Sequence, residues 1–153
     1  MEQVQHMTYL LDDVLLIGKS EAGRIKINPS RLNIEEFFLK IKEEVSNSTQ
    51  NTHEISCFLG LEEKIITIDE KLLRNIVINL LTNSIKFSPG KNKVFLDVIL
   101  RNNLLSISVK DSGIGIGEED KEKIFEAFHR SNQAHAIQGT GLGLSIVKKA
   151  VDM

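Results

Sequence analysis

The sequence has no tryptophan, one tyrosine and seven phenylalanines, so aromatic residues make up only 5% of it. A surface that stacks bases or sugars in series is therefore excluded. Cys57 is the single cysteine, which rules out a disulfide within the chain. Its apolar neighbours Ile55 and Phe58 suggest a packed thiol and a reducing compartment. No apolar run approaches the roughly 20 residues that span a bilayer. The N-terminus also lacks the basic, apolar, small-residue order of a secretion signal. The chain reads as cytoplasmic in character, with any membrane attachment left to parts outside it. Charge of one sign is not concentrated anywhere. Nineteen basic and twenty-one acidic side chains leave a net charge of −2, and no basic stripe marks a nucleic-acid face.

What is present fits one soluble domain. The 153 residues are 41% apolar and 26% charged, enough for one core and too few for two. From 3 to 19, Val4, Met7, Leu11 and Val14 form a heptad seam widened by Leu10, Leu15 and Ile17. A helix made to pack on other helices is expected there, ended near Gly18 and Gly23. The stretch 24–28 alternates up to Pro29, as a short strand or an extended linker. Asn33 with Glu36 forms a capping-box pattern ahead of a stripe of Ile34, Phe37, Phe38, Ile41 and Val45. A polar turn, 47–52, leads to strands near 54–59 and 64–68. Asp69 caps a helix to about Phe87, stopped by Pro89-Gly90. Strands 94–100 and 104–110 read as a hairpin. A glycine-rich polar stretch then carries a short helix near 121–128, and a last helix starts at about Gly141. The pattern predicts an α+β fold, a two-layer α/β sandwich whose mixed sheet packs on helices, preceded by the N-terminal helix.

Three segments carry chemistry. On the helix after Asp69, Asn75, Asn79, Asn83 and Lys86 share one face, opposite Leu72, Leu73, Ile76, Val77, Leu80, Leu81 and Ile85. Three asparagines in one stripe bring no helix propensity. An amide oxygen is a neutral hard ligand suited to Mg²⁺, and a lysine one turn on can meet a phosphate. The plain alternative is a solvated helix face. The second segment is Asp111-Ser-Gly113-Ile-Gly115-Ile116-Gly117. A carboxylate ending a buried strand can accept from an exocyclic amine, a bond worth about 1.5–3 kcal/mol, while glycines admit a ligand to the backbone. The alternative is a glycine-rich turn. Third, Gly139-Thr140-Gly141-Leu142-Gly143-Leu144 runs straight into a helix, whose first N–H groups suit phosphates. It is neither a P-loop nor a dinucleotide fingerprint, because no Lys-Ser/Thr follows and no strand leads in. Between these segments Phe125 and Phe128 could pin a loop to the body, and Arg130 could reach a phosphate. A short amphipathic helix is the alternative there.

The order Asn79-Leu-Leu-Thr-Asn83-Ser-Ile-Lys86-Phe87, Asp111-x-Gly-x-Gly, Ile124-Phe125-Glu126-x-Phe128 and Gly139-Thr-Gly-Leu-Gly-Leu resembles the N, G1, F and G2 boxes of sensor histidine kinases. Upstream, Leu11-Asp-Asp-Val-Leu-Leu with Glu21-Ala-Gly resembles the second helix of that family's dimerisation and phosphoacceptor hairpin. The resemblance implies the GHKL (Bergerat) ATP-binding fold over 23–153, with 1–22 as part of the hairpin. It implies ATP and Mg²⁺ as ligands: Asn83 holds the metal with Asn79 in support, and Lys86 approaches the phosphates. Asp111 reads the adenine amino group, with Gly113 and Gly115 admitting the base. Phe87, Ile116, Leu142 and Leu144 complete the ATP-binding set. The loop Gly139, Thr140, Gly141 and Gly143 wraps the phosphates, Arg130 is a further phosphate candidate, and 114–139 is a lid. The implied partners are the phosphoacceptor hairpin, a response regulator, and a second copy through the N-terminal helix.

Two departures from the family pattern stand out. No His-Glu/Asp-x-Arg-x-Pro string occurs, so the phosphoacceptor is absent, and His6, His53, His129 and His135 do not fit its context. Family members also carry two strands after the last helix, with a Gly-Thr pair. Their absence here leads us to expect reduced stability and weaker nucleotide binding. Gyrase-type and chaperone-type ATPases of the same fold carry Glu where Asn79 stands. Asn79 has no basic oxygen to activate water, which favours phosphoryl transfer over hydrolysis. An anti-sigma-like serine kinase and an inactive interaction module are the remaining alternatives.

Overall fold

A computed structural model describes residues 26–131, 137 and 139–153, together with Gly18. Apart from Gly18, the expected N-terminal helix, its seam and His6 lie outside the described residues, as does His135. The homodimer expected through that helix therefore falls outside them too.

The elements follow in the order β1 (Ser30–Asn33), α1 (Ile34–Ser48), β2 (Glu54–Leu61), β3 (Ile65–Ile68), α2 (Glu70–Lys86), β4 (Lys93–Arg101), β5 (Leu104–Lys110) and α3 (Gly143–Val151). α1 begins where expected. The Asn33 side chain accepts from the Glu36 N–H at 3.3 Å, and the Asn33 amide donates to the Glu36 carboxylate at 2.9 Å. Ile34, Phe37, Phe38, Ile41 and Val45 are all buried, so the one-sided stripe is the face that meets the sheet. Phe37 and Phe38 lie edge to face, 5.2 Å between centroids. Burying a side chain such as Phe38 stabilises by about 2–3 kcal/mol, and Phe38→Ala would cost about 3–5 kcal/mol.

β4 alternates without a break: Val94, Leu96, Val98 and Leu100 are buried while their neighbours face out. It is the middle strand of a three-stranded sheet, parallel to β2 and antiparallel to β5. Parallel pairing needs a long crossover, which β3 and α2 supply. The β4–β5 hairpin turns on Asn102 and Asn103, both with positive φ (51° and 60°), a conformation asparagine tolerates. β1 and β3 form a separate antiparallel pair, Ser30 opposite Ile68 and Asn33 opposite Ile65. The sheet is thus mixed and is packed on α1 and α2, the two-layer α+β arrangement expected, and α3 lies against α2. Among the described residues, no helix is long and apolar enough to cross a membrane.

Of the two readings for the stretch before Pro29, no strand forms at 26–29, and the ladder begins after Pro29, where Ser30 first finds a partner in β3. Two local expectations need correction. The stretch 121–128 is a series of turns, not a helix. Its bonds are mostly i→i+3, such as Lys123 N–H to Asp120 and Glu126 N–H to Lys123, and Phe125 and Phe128 stay exposed instead of pinning the loop. The last helix begins two residues late, at Gly143, because Gly141 takes a positive φ of 75°. Cys57 is half-buried on the Ile55 face of β2, while Phe58 points the other way and is exposed. Burial pushes the Cys57 thiol pKa up, with Asp97 adding to the shift and Lys42 opposing it.

Candidate functional site

Four parts of the chain close around a cavity of about 690 Å³. α2 is the floor. Asp69 caps its start by accepting the N–H groups of Lys71 and Leu72 at 3.0 and 3.1 Å. Its apolar face, Leu73, Val77, Leu81 and Ile85, is spent on the core. That orientation leaves Asn79, Asn83 and Lys86 on the cavity side, with Leu80, Ser84 and Phe87. The Asn79 amide NH₂ donates back to the Asn75 carbonyl at 2.9 Å, which turns its oxygen toward α3. Among the described residues the Asn83 side chain has no hydrogen-bond partner.

β5 supplies the second wall. Its inward row runs Leu105, Ile107, Val109, and Asp111 continues that row one step beyond the strand. Val109 and Asp111 both line the cavity. The Asp111 carboxylate accepts the Gly113 N–H at 2.8 Å, and the next N–H, of Ile114, donates to the Phe87 carbonyl at 3.0 Å. Gly113 is wedged between these groups, since a Cβ there would lie 2.1 Å from the Phe87 oxygen. It shapes the wall without facing the cavity. Gly115 (φ 74°) turns the chain so that Ile114 and Ile116 reach the rim.

The third wall is the glycine loop and the start of α3. Gly139, Thr140, Gly141, Gly143 and Leu144 line the cavity, whereas Leu142 turns inward and packs with Ile146. α3 has no side-chain N-cap, so its first N–H groups carry the partial positive charge of a helix start. The last wall comes from the stretch between, with Lys121, Ile124, His129, Arg130 and Ser131.

Lys86 and Arg130 face this space, with Lys121 also on its wall. Lys86 Nζ lies 4.9 Å over the Phe87 ring, and burial lowers its pKa, with repulsion from Arg130 adding to the effect. A lysine held beside another cation at the expense of its own protonation favours an anionic ligand. Among the described residues, no three of His, Cys, Asp and Glu gather into an all-protein metal cage. The donors that do face the cavity, the amides of Asn79 and Asn83, fit a hard cation that takes its remaining ligands from phosphate oxygens and water. Asn79 and Asn83 are the residues that would hold it.

Every expected site residue therefore lines one cavity except Gly113 and Leu142, which act from behind its walls. Leu80, Ser84, Val109, Ile114, Lys121, Ile124, His129 and Ser131 line it as well and were not expected. Val109 carried a signal, being two residues before Asp111 on the same face, and so did Ser84, one turn after Leu80. His129 and Lys121 carried none, because turns rather than a helix bring them in.

Residues 68–153 match the family described as histidine kinase-, DNA gyrase B-, and HSP90-like ATPase. The sensor histidine kinase WalK of Bacillus subtilis (strain 168) is 32% identical, over 97% of this chain and 25% of that protein. The adaptive-response sensory kinase SasA of Microcystis aeruginosa is 30% identical, over 98% of this chain and 40% of that protein. Among solved structures, full-length ShkA in complex with AMPPNP superposes with a TM-score of 0.82 at 28% identity, covering 99% of this chain and 32% of that one. The nucleotide-free catalytic domain of histidine kinase ThkA gives 0.65 at 27% identity, covering 82% of this chain and 80% of that domain. The chain thus spans between a quarter and two-fifths of the length of these two curated relatives.

Proposed function

Because the chain belongs to the histidine kinase-, DNA gyrase B-, and HSP90-like ATPase family, in the form of the catalytic domain found in sensor histidine kinases, we propose that it binds Mg–ATP in the cavity beside α2. From there it donates the γ-phosphoryl group to a histidine on the kinase's phosphoacceptor hairpin, for onward transfer to an aspartate of a response regulator. The observation that carries this reading is the meeting of the asparagine stripe, Asp111 and the glycine loop around one cavity that also gathers Lys86 and Arg130.

Each residue has a task in it. Asp111 stands at the apolar end among Val109, Ile114 and Ile116, where a carboxylate accepts from the adenine amino group. Phe87 and Leu80 add apolar wall around the base. Lys86 and Arg130 neutralise phosphate charge, and the loop from Gly139 to Gly143 lays N–H groups along it. Asn83 and Asn79 would hold the metal, which would supply positive charge against the phosphates. Phosphoryl transfer depends on this kind of positioning and charge neutralisation rather than on covalent chemistry by the protein. Hydrolysis is disfavoured: Asn79 is bonded back to Asn75 and has no basic oxygen with which to activate water.

The test is AMPPNP binding with and without Mg²⁺. Asn83→Ala and Asp111→Asn should each abolish Mg-dependent binding with little loss of fold. Unchanged affinity in both variants refutes the assignment. Mixing the chain with a separately made phosphoacceptor hairpin and ATP should yield acid-labile phosphate on the hairpin.

A further inference from the structure

We infer that His129 and Asp120 form a clasp that positions Arg130 for the phosphates, a role resting on the nucleotide reading above. His129 Nε2 and Asp120 Oδ1 are 3.0 Å apart, and their side chains are only 21% and 15% exposed. The pair joins segments nine residues apart in sequence with no helix between them.

Each partner is itself anchored. The Asp120 N–H donates to the Gly117 carbonyl at 3.0 Å, and the Asp120 carbonyl accepts the N–H groups of Lys123 and Ile124, both at 2.9 Å. Asp120 is thus the node of the turns that carry Lys121 and Ile124 into the cavity. On the other side, the Phe128 N–H donates to the Gly141 carbonyl at 3.0 Å. Gly141 also presses on the His129 carbonyl: a Cβ there would come within 2.8 Å of it. His129 therefore lies between the turns and the glycine loop and is held to both.

Arg130 follows directly. Its guanidinium donates to the Ile137 carbonyl at 2.6 Å and shares the cavity with Lys86. The two cations repel, so keeping both in one cavity calls for a fixed backbone at Arg130. Phe128, just before the clasp, takes a positive φ of 65°, a conformation that costs a non-glycine residue energy unless its surroundings enforce it. The half-buried imidazole–carboxylate contact one residue from Arg130 supplies that enforcement. His129 also stands on the cavity wall, and in this arrangement its part is positional: it holds Arg130 in place.

The test uses the full chain and two probes, Mg–AMPPNP and adenosine, with binding followed by NMR. Adenosine lacks the groups Arg130 would meet. His129→Ala and Asp120→Ala should each weaken AMPPNP about tenfold and adenosine by much less. His129→Gln, which can still donate to Asp120, should recover most of the lost affinity. Adding His129→Ala to Arg130→Ala should cost little beyond Arg130→Ala alone, because the clasp has nothing left to position. Equal losses for both probes, or strictly additive losses in the double variant, overturn the clasp. Failure of the unsubstituted chain to bind AMPPNP overturns the nucleotide site itself, a separate result.

Discussion

Gly143 lies against the amide of Asn79, so closely that a methyl group on Gly143 would stand 2.7 Å from Asn79 Oδ1 and 3.3 Å from Asn83 Nδ2. This contact seats the first turn of α3 on the asparagine stripe of α2. Gly143→Ala sets two effects against each other. Alanine favours the helix by about 1 kcal/mol, while its methyl displaces two amides that can rotate away. Stability should therefore change by less than about 1 kcal/mol. The displaced amides, however, are the proposed metal and phosphate contacts. AMPPNP affinity should fall at least about tenfold, the equivalent of one lost hydrogen bond to a charged group. Paired calorimetric melting and binding titrations on the same protein separate the two outcomes.

Gly113 presents the opposite case. Its ideal Cβ would lie 2.1 Å from the backbone oxygen of Phe87, which cannot rotate out of the way. Gly113→Ala must break the Ile114 N–H to Phe87 bond or shift the end of α2. The expected cost is about 3 kcal/mol, as for overpacked interiors. It should appear as a lower denaturation midpoint with an unchanged slope.

The elements that were legible in the sequence are those whose burial is one-sided. The α1 stripe and the β4 alternation each name a face, and burial of Phe38 and Leu96 follows from that face alone. The site was legible where polar or glycine residues interrupt an apolar pattern, as at Asn83, Asp111 and Gly141. What could not be read depends on contacts between distant segments. Ile124, Phe125 and Phe128 have helical spacing, yet with Phe125 and Phe128 exposed there is too little burial to stabilise a two-turn helix. Gly113 and Leu142 sit inside glycine motifs, but their roles are set by Phe87 and Ile146. The His129–Asp120 contact has no local signature at all.

Asp69 links the start of α2 to the chain before β1. Besides capping Lys71 and Leu72, its carboxylate accepts the Asn28 N–H at 2.7 Å. Burial acts to raise its pKa, but the three backbone donors and the nearby Lys71 outweigh burial, so the net shift is downward. A carboxylate depressed in the folded state stabilises fully above its unfolded pKa near 3.8 and loses that contribution as pH falls through the folded value. Asp69→Ala should cost about 1–2 kcal/mol at neutral pH, as for other lost caps. Asp69→Asn keeps an oxygen acceptor and should flatten the acid limb of the stability profile. Urea midpoints measured from pH 2 to 7 would show it, and an unaltered acid limb would contradict the linkage.

Lys86 should be costly to the empty fold and necessary to the filled one. Its pKa is lowered by burial and then by Arg130, so the folded protein holds this proton less well than the unfolded chain. For a base the sign runs opposite to Asp69: the penalty is fully present below the folded pKa and lifts as pH rises through the unfolded value near 10.5. Lys86→Met keeps the stem and removes the charge. At neutral pH and without nucleotide it should melt no lower than the unsubstituted protein. A phosphate chain reverses the balance by setting negative charge against the Lys86 ammonium, so the same variant should lose more than about tenfold in AMPPNP affinity. The stabilisation that saturating AMPPNP gives should shrink accordingly, by mass action. A Lys86→Met protein that melted lower when empty and bound AMPPNP normally would place this lysine in the fold rather than in the site.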